Sequence, residues 1–400
     1  MTADRRTRIL IVDDSAVMRS LLRSVIASDA TLEVAGTAAD GASALNSLAI
    51  NRPDLILLDV EMPVMDGLVT LRELRKRGHR MPVIMCSSLT QRGARVTIEA
   101  LAGGASDYVT KPAGQSGREA ALLVLGEELI PKIHALTNSS PCRPSGSSPA
   151  PLRGLSPLRP LFPGVARPPL SLPLSILGPP LPRQPPITSI PTIVAIGVST
   201  GGPAALDVLL PALPAHFPLP VLIVQHMPEL FTRLFAERLD KRCNLRVREA
   251  SEGDPVCAGT IYIARGNWHL EALTPSLASA PPTLHLSQGP LENHCRPAVD
   301  VLLRSVAKVY GPGVLAVILT GMGSDGMLGC RIVREQGGSV LAQDEASSTV
   351  WGMPGAVTAA GLAHKVLPLD IIAPEILRIA SRARSGVQPA IRDLSRQGVT

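Results

Sequence analysis

Between Pro141 and Pro191 lie 16 of the 38 prolines of this 400-residue chain, and no other feature restricts its folding as strongly. Proline lacks a backbone N–H and is excluded from helix interiors and sheet ladders, so the stretch is expected to be an extended, mobile tether outside any core. The chain must then fold as separate units on either side. Its pattern divides into a first unit over 1–138, a linker over 139–190, a second unit over 191–384 and a fraying tail over 385–400. Docking of polyproline-binding domains is the alternative role for the segment; plain linker is the simpler one.

The same segment accounts for most of the net charge. Ser139 to Pro191 holds five arginines, no lysine and no acid, so setting it aside lowers the formal charge from +6 to +1. No basic helix or aromatic-interleaved patch remains, which argues against nucleic acid as a partner. Aromatic residues are only 2% of the chain, so aliphatic side chains must fill the cores. The six cysteines (Cys86, Cys142, Cys243, Cys257, Cys295 and Cys330) form no C-x-x-C pair and no metal-like spacing with histidine. They read as scattered reduced thiols of a cytoplasmic protein, with Cys243, Cys257 and Cys330 as packing residues. No stretch reaches the ~18 uninterrupted apolar residues of a membrane span, so no membrane insertion is expected.

Before the linker, five Val/Ile/Leu-rich runs, "RILIVDDS", "LEVAGTA", "DLILLDVEMP", "MPVIMCSS" and "DYVTKP", alternate with helix-period segments. That is the pattern of a doubly wound parallel α/β sheet. In such sheets ligands gather beyond the carboxyl ends of the strands. The rule brings together Asp13 and Asp14, Asp59, Ser87 and Lys111. Three carboxylates in one partly dehydrated pocket repel unless a hard divalent cation takes their oxygens, and Mg²⁺ suits such a set and recruits phosphate oxygens. With the metal on Asp13, Asp14 and Asp59, the Asp59 carboxylate can attack a phosphoryl group. Lys111 would neutralise the acyl phosphate and Ser87 would hydrogen-bond it. The bland reading of any one of these residues is a helix cap or a surface charge; all five at the right strand ends argue against it.

These residues sit in "DDS", "LLDVEMPVMDG", "CSS" and "TKP", and on them Arg8 to about Leu136 resembles a response-regulator receiver domain, a flavodoxin-like fold. The resemblance implies phosphorylation of Asp59 by a histidine kinase.

After the linker the rhythm resumes. "PTIVAIGVST", "PVLIVQHMP", "GTIYIA", "GVLAVILTGMG" and "GSVLAQDE" are strand candidates, with "PAALDVLLPAL", "LFTRLFAERLD", "AVDVLLRSVAKV" and "GMLGCRIVREQ" as helices, a second α/β unit on a parallel sheet. Ser199 stands in the literal pattern G-x-S-x-G between a strand and a helix, His226 ends the next strand, and Asp325 follows "VLAVILT". A hydroxyl needs a base to become a nucleophile near neutral pH, an imidazole can be that base, and a carboxylate can fix its tautomer. Backbone N–H groups around Thr200 and Met322 could hold the oxyanion of acyl transfer. Taken singly, Ser199 reads equally as a helix N-cap and His226 as a satisfied strand-end histidine. "GMGSDG" also has a rival reading: Gly321, Gly323 and Gly326 form G-x-G-x-x-G, and Asp344 follows 18 residues later, as in a dinucleotide fingerprint.

"AIGVSTGGP", "VQHMP", "LTGMGSDG" and "AQDEASSTVWGMP" resemble, in order and spacing, the motifs of the chemotaxis protein-glutamate methylesterase (CheB) family over about Pro191 to Pro368. The resemblance implies Ser199 as nucleophile, His226 as base, Asp325 as orienting acid and Met322 at the oxyanion hole, with no cofactor in this domain. It implies that the γ-methyl esters of methylated glutamates on chemoreceptors are hydrolysed with release of methanol. Some members also deamidate receptor glutamines. The resemblance further implies a CheA-like histidine kinase as phosphodonor and a receiver that covers the active site until Asp59 is phosphorylated. "ENHCRPAVDVLL" is similar to the family's segment here, leaving open whether His294 and Arg296 face substrate or support the site. The linker is longer than the family's connector, so weaker basal repression is expected.

Overall fold

The structure, a computed structural model, describes residues 5–112, 117–138, 189–275, 277 and 279–385. The expected linker lies outside the described residues except for Ser189 and Ile190, and so does the tail beyond Ser385.

The first unit has strands β1 (Thr7–Val12), β2 (Leu32–Ala38), β3 (Leu55–Asp59), β4 (Val83–Ser87) and β5 (Asp107–Thr110). They form one parallel sheet in the order β2-β1-β3-β4-β5. Helices α1 (Ala16–Ala27), α2 (Gly41–Asn51), α3 (Gly67–Lys76), α4 (Gln91–Ala102) and α5 (Arg118–Asn138) connect or follow the strands. Every residue of β3 and β4 is buried, which is why these strands read as unbroken apolar runs. Ser15, Asp40, Asp66 and Thr90 cap the first four helices by accepting a main-chain N–H with their side chains. The order reverses between β1 and β3, so the ends of these two strands flank the ligand crevice.

The second unit contains β6 (Ile193–Val198), α6 (Gly202–Leu209), β7 (Val221–Gln225), α7 (Glu229–Asp240), β8 (Arg246–Glu249), β9 (Thr260–Ile263), β10 (His269–Leu273) and β11 (Thr283–Ser287). It continues through α8 (Val299–Tyr310), β12 (Val314–Ile318), α9 (Met327–Glu335), β13 (Ser339–Gln343), α10 (Met353–Ala359), β14 (Lys365–Leu367) and α11 (Leu369–Ser385). Seven strands form a parallel sheet in the order β14-β13-β12-β6-β7-β9-β8. Its five apolar strands and four helices match the expected segments. Strands β8, "RVRE", and β14, "KVL", escape a hydrophobicity reading because they are short, charged edges. Strands β10 and β11 add an antiparallel pair outside the main sheet. Cys257 corrects the packing expectation: it is exposed in the loop before β9, whereas Cys330 is buried in α9 and Cys243 is half-buried.

The two units share a continuous apolar core. Ile98 and Leu101 of α4 and Tyr108 of β5 join Phe231 and Leu234 of α7 in one cluster. The rings of Tyr108 and Phe231 stack with centroids 4.7 Å apart and planes 12° from parallel. Such a pair contributes about 0.5–1.5 kcal/mol beyond the area it buries. Among the described residues no helix is long and apolar enough to cross a membrane.

Candidate active site

Strand order places the second site as it does the first. From β6 the chain proceeds to β7 on one side and returns to β12 on the other, so the ends of β6 and β12 flank a crevice. Ser199 leaves β6, His226 leaves β7, and Asp325 lies in the turn after β12. The serine turn is tied down from several directions. Ser199 N–H donates to Thr320 O (3.0 Å), and Ser199 O accepts from Gly202 N–H (2.8 Å). Gln225 Nε2 also donates to Ser199 O, at 3.0 Å, and reaches His226 O at 3.3 Å, clasping the two strand ends together. Gly201 has φ 77°, and a Cβ there would overlap Thr349, so both conformation and space require glycine.

Asp325 is 2% exposed. Its Oδ2 accepts from Val299 N–H (2.7 Å) and its Oδ1 from Asp300 N–H (3.0 Å), the free donors at the start of α8. Burial would push its pKa up, but hydrogen bonds from His226 and these amides, with the His226 charge, carry it below the usual carboxylate value. His226 Nε2 lies 2.9 Å from Asp325 Oδ2, and Nδ1 faces Cys295 Sγ at 3.6 Å. Asn293 Nδ2 donates to Asp325 Oδ1 and Asp300 Oδ2, both at 2.9 Å. Asp300, 1% exposed, is pushed up to about 6, mainly by burial, with the Asp325 charge adding to it.

The glycine-rich turn serves Asp325. Gly326 has φ 91°, and a Cβ there would press on Val299 at the start of α8. Asp344 shapes a local turn, its Oδ1 accepting from Ser347 N–H (3.0 Å) and Ser347 Oγ (2.6 Å). Arg296 supports the fold: its guanidinium donates to Asn267 Oδ1 (2.8 Å) and to the carbonyls of Gln288 (3.1 Å) and Gly289 (2.8 Å). His294 opens instead onto a cavity of about 1060 Å³ shared with Ser199, Thr200, His226 and Met322.

The first unit forms the opposite wall of that cavity, through Asp107, Tyr108, Glu127, Glu128 and Lys132. Thr200 Oγ1 donates to Asp107 Oδ2 at 2.7 Å, a buried hydrogen bond between the units. Lys132 Nζ donates to Tyr108 O (2.6 Å) and Glu128 Oε1 (2.9 Å) and stands 3.8 Å from Asp107 Oδ1. Sequence reasoning passed over Asp107, Gln225, Asn293 and Asp300. In the sequence Gln225 stands beside His226, Asp107 opens "DYVTKP", and Asn293 and Asp300 lie within "ENHCRPAVD", but nothing in those motifs marks which distant group each will meet.

At the other site, carboxylate oxygens of Asp13, Asp14 and Asp59 lie within 4.8 Å of one another. Lys111 Nζ is 2.9 Å from Asp13 Oδ2 and 2.7 Å from Asp59 Oδ2. Burial, aided by Asp13, pushes the Asp59 carboxyl up to about 6 despite Lys111. Three clustered carboxylate side chains, with the Asp59 carboxyl disfavoured as an anion, fit a hard divalent cation. The Ser87 hydroxyl, also at this strand edge, donates to Ser88 O (3.2 Å) and accepts from Thr97 Oγ1 (2.7 Å).

A doubly wound sheet laid over a clustered Ser, His and Asp on a second parallel sheet has the architecture of a receiver joined to an α/β hydrolase-like unit. The response-regulator receiver model matches residues 9–122 and the CheB methylesterase model matches residues 194–376. A protein-glutamate methylesterase/protein-glutamine glutaminase of Nocardioides sp. is 47% identical over 383 residues, covering 96% of this chain and 98% of the relative. One from Trichodesmium erythraeum is 44% identical over 93% of this chain and 98% of its own length. The crystal structure of the Thermotoga maritima CheB methylesterase catalytic domain is also similar, 42% identical over 47% of this chain and 98% of that chain, with a TM-score of 0.46. The chain belongs to the family of protein-glutamate methylesterases/protein-glutamine glutaminases, chemotaxis hydrolases that carry a response-regulator receiver.

Proposed function

We propose that Ser199, His226 and Asp325 hydrolyse the γ-methyl esters of glutamates on chemoreceptors by a serine-hydrolase route. The observation that carries this is the His226–Asp325 hydrogen bond of 2.9 Å opening onto the same cavity as Ser199. Ser199 Oγ attacks the ester carbonyl while its proton passes to His226, whose imidazolium Asp325 stabilises. The amides of Thr200 and Met322 have no protein acceptor among the described residues and are available to the oxyanion. His226 then protonates the departing methoxide, and water repeats the sequence on the acyl-enzyme to release glutamate. A glutamine amide follows the same path with ammonia as the leaving group. No cofactor is needed for these steps.

The reading extends to control. Asp59 receives a phosphoryl group from a CheA-like histidine kinase, Asp13, Asp14 and Asp59 hold Mg²⁺, and Lys111 and Ser87 stabilise the product. Bound Mg²⁺ would neutralise the carboxylates and the incoming phosphate. The unit over 1–138 covers the site of the unit over 191–384 until phosphorylation rearranges their contact, and the enzyme works in the cytoplasm. Its support is the cavity wall supplied by Asp107 and α5.

Methanol release from methylated chemoreceptor membranes, with and without acetyl phosphate and Mg²⁺, tests both halves. Release should rise with the phosphodonor and vanish in Ser199→Ala; no release from folded protein under either condition would overturn the substrate assignment.

A further inference from the structure

Both ring nitrogens of His226 are occupied: Nε2 faces Asp325 Oδ2 at 2.9 Å, and Nδ1 faces the Cys295 thiol at 3.6 Å. A serine proton can reach the imidazole only at the nitrogen that the orienting carboxylate does not hold. Here that nitrogen is covered by sulfur. The thiol is set there by a constrained segment. Asn293 and His294 both adopt left-handed backbone, with φ 52° and 62°. Glu292 and Cys295 exchange main-chain hydrogen bonds of 3.1 and 2.9 Å, and Asn293 ties the segment to Asp325. Two successive non-glycine residues in this region are uncommon, and their surroundings must hold them there.

We infer that Cys295 is a positioning residue for His226: its thiol occupies Nδ1 while the receiver covers the site, and Ser199 reaches its base only when the thiol gives way. This rests on the reading of Ser199 and His226 as nucleophile and base. The charge state of the ring agrees with it. Burial acts against the imidazolium, but the hydrogen bonds to Asp325 and Cys295, with the Asp325 charge, outweigh it and raise His226 to about 10. A ring that keeps its proton is no base near neutral pH. On its own side His226 is also faced by His294 and, through Asn293, by Asp300. Asp107, Glu127, Glu128 and Lys132 face the cavity from the receiver. None of these changes in a Cys295 variant, so a shift in such a variant reports the thiol.

The test uses the full chain as wild type, Cys295→Ala and Cys295→Ser. It measures the pH dependence of kcat/KM for methanol release and, in a Ser199→Ala background, the His226 ring titration by NMR. In Cys295→Ala the ring pKa should fall by about one unit or more, moving the acid limb of kcat/KM to lower pH with about tenfold higher values there. Cys295→Ser, with a hydroxyl at the same place, should lie between. An unchanged ring titration and acid limb in folded Cys295→Ala overturns the inference. Turnover lost in Cys295→Ala but kept in Ser199→Ala makes Cys295 the nucleophile and overturns both readings. Turnover kept in Ser199→Ala together with a shifted ring in the Cys295→Ala pair removes the serine reading alone and leaves the thiol contact standing.

Discussion

Replacing Asp107 with Ala should release the receiver from the active site. Thr200 Oγ1 donates to Asp107 Oδ2 at 2.7 Å, and the two residues are only 5% and 6% exposed. Solvent screening is therefore slight, and a hydrogen bond to a charged acceptor contributes roughly 1.5–3 kcal/mol. Since ~1.4 kcal/mol is tenfold in an equilibrium, its loss should shift the balance from covered to open by roughly 10- to 150-fold. Two neighbours limit collateral damage. Lys132 keeps Glu128 at 2.9 Å, and the Tyr108–Phe231 stack at 4.7 Å still favours the covered state. The basal rate should therefore climb by up to that factor, with the phosphorylated rate as its ceiling. Asp107→Asn keeps an acceptor without the charge and should fall between. The assay is methanol release from methylated receptor membranes without a phosphodonor, beside phosphoryl labelling to show that the receiver is folded. A basal rate indistinguishable from wild type in an Asp107→Ala chain that still takes the label would refute the argument.

Ser199→Ala should lower kcat by roughly 10⁴-fold or more, the scale seen when a triad nucleophile is removed, with the thermal transition unchanged. Asp59→Asn should abolish labelling by acetyl phosphate, and a chelator should do the same to wild type; a label persisting in the variant would remove Asp59 from its assigned role. Asp59 also bears on stability. Its carboxyl is raised from 3.8 to about 6 in the folded state, so folding takes up a proton, and the associated stability is present below about pH 4 and lost as pH rises through about 6. A two-unit shift is on the order of 3 kcal/mol. Without divalent cation, the urea midpoint of Asp59→Asn should exceed wild type at pH 7, and the gap should close toward pH 4; a constant gap would show that burial of the Asp59 charge is not its source.

Much of this protein is legible in one dimension because burial on both faces of a parallel sheet forces unbroken apolar runs, and chemistry sits where those runs end. "LILLD" and "VLIVQH" announce both the strand and the polar residue at its carboxyl edge. Asp13, Asp14, Asp59 and Lys111, and equally His226 and Asp325, could be grouped before any coordinates. Short charged edges such as "RVRE" could not be read, because an edge strand carries little apolar signal. The exposure of Cys257 also escaped the reading, since a thiol's residue type does not tell core from surface. What only the tertiary structure decided are contacts between residues far apart in the chain. Asp107 on Thr200, Asn293 between two carboxylates, Gln225 across two strand ends and Cys295 on His226 arise from side chains meeting in three dimensions. Periodicity encodes which face a residue takes along its own element; it carries no record of which distant group will stand opposite, and that is set when the two sheets and their loops pack.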